Sequence, residues 1–380
     1  MVERRPRILH ITRNLPPLVG GMERLNWHIA NTLSEWADVD VVGPQGAASL
    51  KPTSVALAEV PLRPLWRFLL ASAWRALWLA RTRKPNLVLA GSGLTAPAAW
   101  LAARACGARA AVYVHGLDVA VRHPMYRAIW HPILRRMDIV IANSQPTADL
   151  VRALGVAEHK VCIVHPGVSL LSSPQPPEDL HDFRDWHALG DARLLLSIGR
   201  LTTRKGLREF VQNALPEIVK QASDTLLVII GEAPSNALLA GVQPRDSIQA
   251  VADTAGIGSH VRFLGVITDP HALACAYESA AVHVFPVREI PGDPEGFGMV
   301  AIEAAAHGLP TVAFATGGIV DAVAEGRSGR LVPPGDYASL SGAVLQVLAA
   351  GDGASRAGAQ QFASGFAWPL FGEKLRAALE

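Results

Sequence analysis

The stretch LLLSIGRLTTRKG (Leu194–Gly206) joins an apolar run to a loop that is rich in cations. A short, continuous run of leucine and isoleucine that ends at glycine predicts a strand buried on both faces of a parallel sheet. The loop that follows carries Arg200 and Lys205, five residues apart. Ligands of such sheets bind beyond the carboxyl ends of the strands, so the two cations are candidate partners of a diphosphate. Solvated surface cations are the alternative interpretation.

Similar apolar runs occur on both sides of this stretch and alternate with helical patterns. The other predicted strands are Arg7–Thr12, Asp38–Gly43, Asn86–Ala90, Ala110–Gly116, Ile139–Ser144, Lys160–Val168, Leu226–Glu232, Val261–Gly265, Val282–Pro286 and Pro310–Ala315. A segment rich in proline and serine, Ser172–Asp179, indicates a linker between the two series. Strand–helix alternation that occurs twice predicts an α/β protein with two Rossmann-like, doubly wound domains facing each other across a cleft.

The expected domain bounds follow from the linker. We expect residues 1–172 to form an N-terminal Rossmann-like domain and residues 173–360 to form a C-terminal one. Residues 361–380 form a C-terminal helix that packs back on the first domain. Residues 85–103 are uncharged, but Gly91, Gly93 and Pro97 interrupt them. They therefore predict strand, turn and helix rather than a membrane span.

Composition limits the class of protein. The chain has 380 residues, half of them hydrophobic, which suits two domains with sizeable cores. Cys106, Cys162 and Cys275 form no CxxC pair, which argues against a disulfide framework or a zinc cluster. Residues 1–170 hold 20 Lys/Arg and 10 Asp/Glu, whereas the remainder holds 15 and 23. The basic half predicts an anionic partner, either nucleic acid or membrane, unless the uneven charge has no role.

Several other polar groups follow predicted strands. Gly20 and Gly21 follow the first strand and open a helix, where free amides favour an anion, although a plain turn is equally compatible. His115 ends a strand, and a neutral imidazole there can hydrogen-bond a sugar hydroxyl or serve a structural role. Asp38 and Asp40 spell a DxD pattern, but they lie inside a predicted strand. We therefore expect no metal site and no cofactor.

The segment DPEGFGMVAIEAAAHGLP (Asp293–Pro310) holds two carboxylates around a glycine turn. Gly296, Phe297 and Gly298 lead into a helix N-terminus, which presents amides to negative charge. Glu295 precedes the turn, and Glu303 lies within the helix. Carboxylates suit vicinal hydroxyls because each oxygen accepts hydrogen bonds. Helix capping by Glu295 and a solvent-facing Glu303 are the structural alternatives.

Taken together, GGMER, HGLD, GRLTTRKG, EGFGMVAIEAAAHGLP and TGGIVDAVAEGRSGRLVPPGD resemble the retaining glycosyltransferases of family 4, which have the GT-B fold and an E-x7-E motif. The resemblance covers nearly the whole chain and is strongest over Ser197–Asp336. Three departures are Asp321 after the second Gly-Gly, Ser169 in HPGVSL, and the additional segment Arg288–Asp293 before Glu295.

The resemblance implies a role for each domain and each candidate residue. The nucleotide-sugar donor would bind the C-terminal domain, residues 173–360, and the acceptor would bind the N-terminal domain, residues 1–172. Arg200 and Lys205 would neutralise the leaving nucleoside diphosphate, and His115 would contact the donor sugar. Glu295 would bind hydroxyls of the transferred sugar. The remaining donor-binding residues would be Gly20, Gly21, Gly296, Phe297, Gly298 and, at the ribose, Glu303.

The implied activity is metal-independent transfer of a hexose, with retention, from a nucleotide sugar to a lipid-linked saccharide in bacterial envelope polysaccharide synthesis. The expected donor is GDP-mannose or a GDP-deoxyhexose first and UDP-glucose second. The expected location is the cytoplasm, peripheral to the inner face of the cytoplasmic membrane. A nucleotide-sugar epimerase of the same fold, or a nucleic-acid-binding protein that uses the basic half, are the alternatives.

The segment Arg63–Lys84 is both basic and rich in tryptophan. At about 100° per residue, one side of the predicted helix collects aromatic and cationic residues, and aliphatic residues fall opposite. The residues on that side are Arg63, Arg67, Trp74, Trp78 and Arg81. Indoles and guanidiniums suit a membrane interface, so we expect this face to dock on an anionic membrane. Tryptophans buried in the core are the alternative.

Overall fold

The computed structural model describes residues 5–234, 241–350 and 353–380. The chain forms two compact units: Met1–Gly167 with Trp368–Glu380, and Val168–Ala367. The first unit therefore ends five residues before the expected boundary at 172. Residues 361–367 belong to the second unit, and only the last helix returns to the first.

The first unit is built on a seven-stranded parallel sheet with the order β3-β2-β1-β4-β5-β6-β7. Its strands are β1 (Arg7–Ile11), β2 (Asp38–Pro44), β3 (Ala56–Val60), β4 (Leu87–Ala90), β5 (Arg109–Val114), β6 (Ile139–Ala142) and β7 (Val161–Ile163). Its helices are α1 (Gly21–Trp36), α2 (Leu65–Arg83), α3 (Ala96–Cys106), α4 (Gly116–Ala120), α5 (Pro124–Arg136), α6 (Gln145–Ala153) and, from the end of the chain, α16 (Trp368–Leu379).

The second unit has a six-stranded parallel sheet with the order β10-β9-β8-β11-β12-β13. Its strands are β8 (Arg193–Ile198), β9 (Thr225–Ile230), β10 (Val261–Gly265), β11 (Val282–Phe285), β12 (Thr311–Phe314) and β13 (Gly329–Val332). Its helices are α7 (Pro177–Trp186), α8 (Leu207–Asn213), α9 (Leu215–Gln221), α10 (Arg245–Thr254), α11 (Pro270–Ser279), α12 (Met299–Ala306), α13 (Ile319–Ala322), α14 (Tyr337–Ala350) and α15 (Gly353–Ser364).

All eleven predicted strands are present, and the two doubly wound α/β domains are confirmed. The central strands β4, β6, β9, β11 and β12 are buried at every residue, as their continuous apolar runs predict. The strands that the sequence did not indicate, β3 and β13, are short edge strands with exposed positions. An edge strand needs no continuous apolar run, so its sequence signal is weak.

The uncharged stretch 85–103 contains β4, a short turn of 3₁₀-helix and the start of α3, as predicted. Among the described residues, none of the helices has both the length and the apolar character needed to cross a membrane.

Candidate functional site

The cationic loop after β8 is fixed against the loop after β11. Thr203–Lys205 forms a single 3₁₀ turn, and Gly206 then adopts a left-handed conformation with φ of 68° before α8 begins. A β-carbon at Gly206 would collide with the carbonyl oxygen of Pro286. Only glycine allows both the positive φ and this close approach. The strand-end loop of β8 is thereby held next to that of β11.

Lys205 and Arg204 both bind the carboxylate of Glu295. The Lys205 Nζ lies 2.7 Å from Glu295 Oε2, and the same oxygen accepts a hydrogen bond from Arg204 Nη1. Arg204 Nε lies 3.3 Å from Asp293 Oδ1, an ion pair without hydrogen-bond geometry. The Lys205 ammonium also lies 4.5 Å from the centre of the Phe285 ring. We call Arg204, Lys205, Asp293 and Glu295 the cation–carboxylate cluster.

The cluster is shielded from water, because the side chains of Arg204, Lys205 and Glu295 are only 12–15% exposed. Burial lowers the pKa of Lys205 to about 8, assisted by the positive charges of Arg204 and Arg200 and opposed by Glu295. Burial alone would raise the pKa of Glu295. The charges and hydrogen bonds of Arg204 and Lys205 outweigh burial and lower that pKa to about 2. Glu295 is thus ionised at neutral pH, and Lys205 is close to its titration point.

Arg200 has a different environment from its neighbours in the loop. It is exposed, and it makes no ion pair with any residue in the parts of the chain that the structure describes. Its charge still acts on Lys205. Sequence reasoning paired Arg200 with Lys205, whereas the structure places Arg204 beside Lys205 on the same carboxylate. The Arg-Lys dipeptide itself does not indicate that both of its cations bind one carboxylate.

The glycine turn around Phe297 is supported by the second Gly-Gly pair. Phe297 is buried, and its ring lies 5.8 Å from that of Phe366. The Gly318 N–H donates to the carbonyl oxygen of Glu295 at 2.9 Å. A β-carbon at Gly318 would collide with the carbonyl oxygen of Gly296. The backbone that carries Glu295 is therefore set by a close approach that only glycine permits.

Glu303 lies in α12 and is not solvent-facing. It is half-buried, and its Oε2 accepts a hydrogen bond of 3.1 Å from the hydroxyl of Tyr277 in α11. Sequence reasoning did not find Tyr277, because the two residues are 26 positions apart and on different helices. Gly298 immediately precedes α12. Glu295 therefore lies just before this helix, and Glu303 lies within it.

The additional segment Arg288–Asp293 contacts Arg204 of the cluster at both of its ends. The Arg288 N–H donates to the carbonyl oxygen of Arg204 at 2.8 Å. Its guanidinium donates to Glu209 Oε1 at 2.6 Å, and Gln243 donates to the other oxygen of Glu209 at 2.7 Å. At the other end, Asp293 faces Arg204. The segment therefore positions Arg204, a role that the sequence did not reveal.

In the first unit, the segments that follow β1 and β5 carry Gly20 and Gly21, and His115, respectively. Gly20 precedes α1, and the carboxylate of Glu23 covers it from the first turn of that helix. The His115 N–H donates to Asp118 Oδ2 at 2.9 Å, which caps α4. Burial lowers the pKa of His115, and the charge of Asp118 opposes this only partly. The imidazole is thus neutral at neutral pH.

The predicted interface residues are exposed, and all but Arg63, which precedes the helix, lie on one face of α2. Trp74 and Trp78 are 67% and 45% exposed, and Arg63, Arg67 and Arg81 are exposed as well. Trp66 and Leu70, at 59% and 66%, extend the same line at intervals of four residues. The opposite side holds the fully buried Ala76 and Ala80. We call this set, from Arg63 to Arg81, the aromatic–basic face. The tryptophans are therefore not core residues.

Two family models match this chain. Residues 19–170 match "Glycosyltransferase Family 4", and residues 192–350 match "Glycosyl transferases group 1". A D-inositol 3-phosphate glycosyltransferase of Catenulispora acidiphila is 35% identical over 55% of this chain and 48% of that protein. The GDP-mannose-dependent alpha-(1-6)-phosphatidylinositol monomannoside mannosyltransferase of Mycolicibacterium smegmatis is 31% identical over 68% of this chain and 66% of that protein.

These alignments span about half to two thirds of the length of the two curated relatives. Among solved structures, Anabaena HepE in complex with UDP superposes with a TM-score of 0.81 at 19% identity, covering 98% of this chain and 99% of that one. A likeness at this identity concerns the fold. Because the two family models together cover most of both units, the chain belongs to glycosyltransferase family 4, whose members have the GT-B fold.

Proposed function

We propose that this protein transfers a hexosyl group from a nucleotide sugar to a lipid-linked saccharide, with retention of anomeric configuration and without a metal ion. The observation that carries the proposal is the cation–carboxylate cluster. It places Lys205 and Arg204, both shielded from water, at the carboxyl edge of the second sheet and beside a glycine turn. This is where ligands of doubly wound sheets bind.

The cluster suits departure of a nucleoside diphosphate. As the glycosidic bond to phosphate breaks, negative charge develops on the leaving oxygens, and fixed cations in a site of low polarity stabilise it. Glu295 and Asp293 together balance the charges of Lys205 and Arg204. When a donor binds, its diphosphate competes for these cations, and Glu295 becomes available to the hydroxyls of the sugar. Arg200, which is exposed and carries no ion pair among the described residues, supplies further charge.

Retention follows from the family resemblance and agrees with the state of Glu295. Once the donor diphosphate has taken its two cations, this carboxylate is engaged by the hydroxyls of the sugar and does not act as the nucleophile. We therefore expect a front-face displacement, in which the leaving phosphate accepts the proton of the attacking hydroxyl. His115, neutral at neutral pH, is suited to a hydrogen bond with the donor sugar.

The donor and acceptor are proposed by analogy. The mycolicibacterial relative is named for GDP-mannose and a phosphatidylinositol mannoside, which favours GDP-mannose or a GDP-deoxyhexose over UDP-glucose. The aromatic–basic face favours a lipid-linked acceptor at the inner face of the cytoplasmic membrane, in envelope polysaccharide synthesis. Residues 60–137 contain twelve Lys/Arg and a single acid, Asp118. That charge suits an anionic lipid surface, where each cation contributes about 1 kcal/mol.

The test is a transfer assay in which the product is read by NMR. The purified protein is incubated with GDP-mannose or UDP-glucose, membrane-extracted lipid acceptors and EDTA, and the one-bond C1–H1 coupling constant of the new glycosidic linkage is measured. We expect an α-linked product from an α-linked donor, at the same rate with EDTA as with Mg²⁺. An inverted product, or a rate abolished by EDTA, contradicts the proposal. Interconversion of free nucleotide sugars instead indicates the epimerase alternative.

A further inference from the structure

Two neighbouring residues of α11 contact two positions one helical turn apart at α12. Tyr277 hydrogen-bonds Glu303, and Glu278 pairs with His307, which directly follows the last residue of α12. Residues four apart lie on the same face of a helix. The two contacts therefore act side by side, and they join the helix of the E-x7-E motif to α11.

The two contacts are linked, because His307 touches both Glu278 and Tyr277. His307 Nδ1 lies 3.0 Å from Glu278 Oε1, and the rings of Tyr277 and His307 stack with centres 5.0 Å apart and planes 13° apart. Glu278 Oε2 accepts a 2.7 Å hydrogen bond from the Gln175 N–H. Gln175 belongs to the segment Ser172–Asp179. This segment, α11 and the end of α12 thus share one buried polar network.

The hydroxyl of Tyr277 distinguishes this network from ordinary core packing. Tyr277 is fully buried, and its ring fills space between helices. A phenylalanine would fill the same space without a polar group to satisfy. The phenolic hydroxyl donates to Glu303 Oε2, which is an ionisable carboxylate in the otherwise apolar helix MVAIEAAA. The hydroxyl therefore acts on the orientation of Glu303.

We propose that Tyr277 is a positioning residue for Glu303, and that its hydrogen bond orients the carboxylate for the neighbouring hydroxyls of the donor ribose. This inference rests on the proposed function, because it assumes a nucleotide donor. A carboxylate oxygen has two lone pairs, so Oε2 can accept from Tyr277 and from a ribose hydroxyl at once. The stack on His307 fixes the plane of the phenol, and the Glu278 pair fixes His307.

The expected effect of losing the hydroxyl is moderate. Without it, Glu303 must be ordered when the nucleotide binds, and ordering one side chain weakens binding by about three- to tenfold. The loss falls on the ribose contact alone. The turnover number at saturating donor changes little, because the diphosphate cations are untouched.

The experiment compares Tyr277→Phe with wild type by calorimetry on the full chain. The ligands are GDP and UDP, each beside its 2′,3′-dideoxy counterpart. For the nucleotide that binds, we expect wild type to bind the ribonucleotide more tightly than its dideoxy counterpart. In Tyr277→Phe, this ratio of affinities should fall about three- to tenfold. Tyr337→Phe is the matched control, because it removes the same hydroxyl from the same unit and leaves the preference unchanged.

The possible outcomes separate this inference from its premise. If Glu303→Gln abolishes the ribose preference but Tyr277→Phe does not alter it, the positioning role is wrong and the donor site stands. If wild type binds neither GDP nor UDP, the proposed function itself fails. If Tyr277→Phe lowers the melting temperature and weakens ribo- and dideoxynucleotides equally, Tyr277 is only structural and the inference is overturned.

Discussion

The cation–carboxylate cluster of the second unit and the aromatic–basic face of the first unit both contain cations, but only the cluster pairs its cations with carboxylates. In the cluster, Lys205 and Arg204 are shielded from water and share one carboxylate. On the aromatic–basic face, the arginines are exposed, lie beside indoles and have no acid on their own helix. Arg67 lies 5.6 Å from the ring centre of Trp66, for example.

Under the proposed function, the two regions bind two different kinds of anionic partner. Cations held in fixed positions at low exposure are preorganised for a defined anion, such as a diphosphate. Exposed cations on a helix among aromatic residues suit a diffuse, negatively charged surface and are screened by salt. We therefore expect changes in the cluster to act on chemistry at any salt concentration, and changes on the face to act on recruitment at low salt.

The largest effect is expected for Lys205→Ala. Removing one preorganised, charge-stabilising group costs about 10²-fold in kcat, and the Michaelis constant for the donor should change far less. Steady-state kinetics with varied donor measures both. Lys220→Ala, which removes a solvent-exposed lysine of the same unit, is the control and leaves kcat unchanged. An effect confined to the Michaelis constant would count against a role in bond breaking.

Glu295→Gln tests whether the cluster is an ion pair that the donor must open. The substitution leaves Lys205 without a carboxylate and Arg204 with Asp293 alone, so the free energy of unfolding should fall by about 2 kcal/mol. Binding of inorganic pyrophosphate should become tighter, since Glu295 no longer competes for Lys205. Urea unfolding and calorimetry measure the two effects.

Glu217→Gln, on an exposed surface beside Lys220, is the matched control for both measurements. Weaker pyrophosphate binding by Glu295→Gln would show that the carboxylate does not compete with phosphate.

The low pKa of Lys205 predicts a limb in the pH–rate profile. Only the ammonium form stabilises the leaving diphosphate, so kcat/KM should fall about tenfold per pH unit above the pKa of about 8. Stability responds in the opposite sense. Between about pH 8 and the unfolded value of 10.5, the unfolded lysine binds more protons than the folded one. This group therefore adds stability as pH rises through that window.

The variant Lys205→Arg checks this assignment, because a guanidinium does not titrate in the range. It should remove the alkaline limb even if the rate is lower throughout. A limb that persists unchanged in this variant assigns the titration to another group.

The smallest effect is expected on the aromatic–basic face. The double variant Trp74→Ala/Trp78→Ala should bind anionic vesicles about tenfold more weakly, since two interfacial indoles are lost. Flotation at low salt measures it, and nucleotide affinity should not change. Trp186→Ala removes an exposed tryptophan from the second unit and is the control. Failure of wild type to bind vesicles at low salt would remove the membrane role altogether.

The sequence predicted elements whose signal is local. Buried strands such as β9 and β11 have continuous apolar runs, and the exposed side of α2 follows from helical periodicity. Edge strands β3 and β13 lack such runs and were missed. The sequence also predicted that Lys205 lies in a loop and Glu303 in a helix, because glycine turns mark the ends of the strand and the start of the helix.

Contacts between distant segments could not be predicted in the same way. Arg204 reaches Glu295 across 91 positions, and Arg288 reaches Glu209 across 79. Both adjacent cations reach the same carboxylate because Gly206 lets the loops after β8 and β11 approach closely, which is a property of the folded loops. Periodicity and spacing contain no information on such pairings.

Calorimetric titration of UDP, GDP and ADP into wild type and Lys205→Ala, in EDTA, tests the central claim most directly. The claim is that the cation–carboxylate cluster binds the donor diphosphate through its own cations. It predicts that at least one nucleoside diphosphate binds wild type without metal and binds Lys205→Ala at least several-fold more weakly. Binding of none of the three, or equal binding to both proteins, would contradict it.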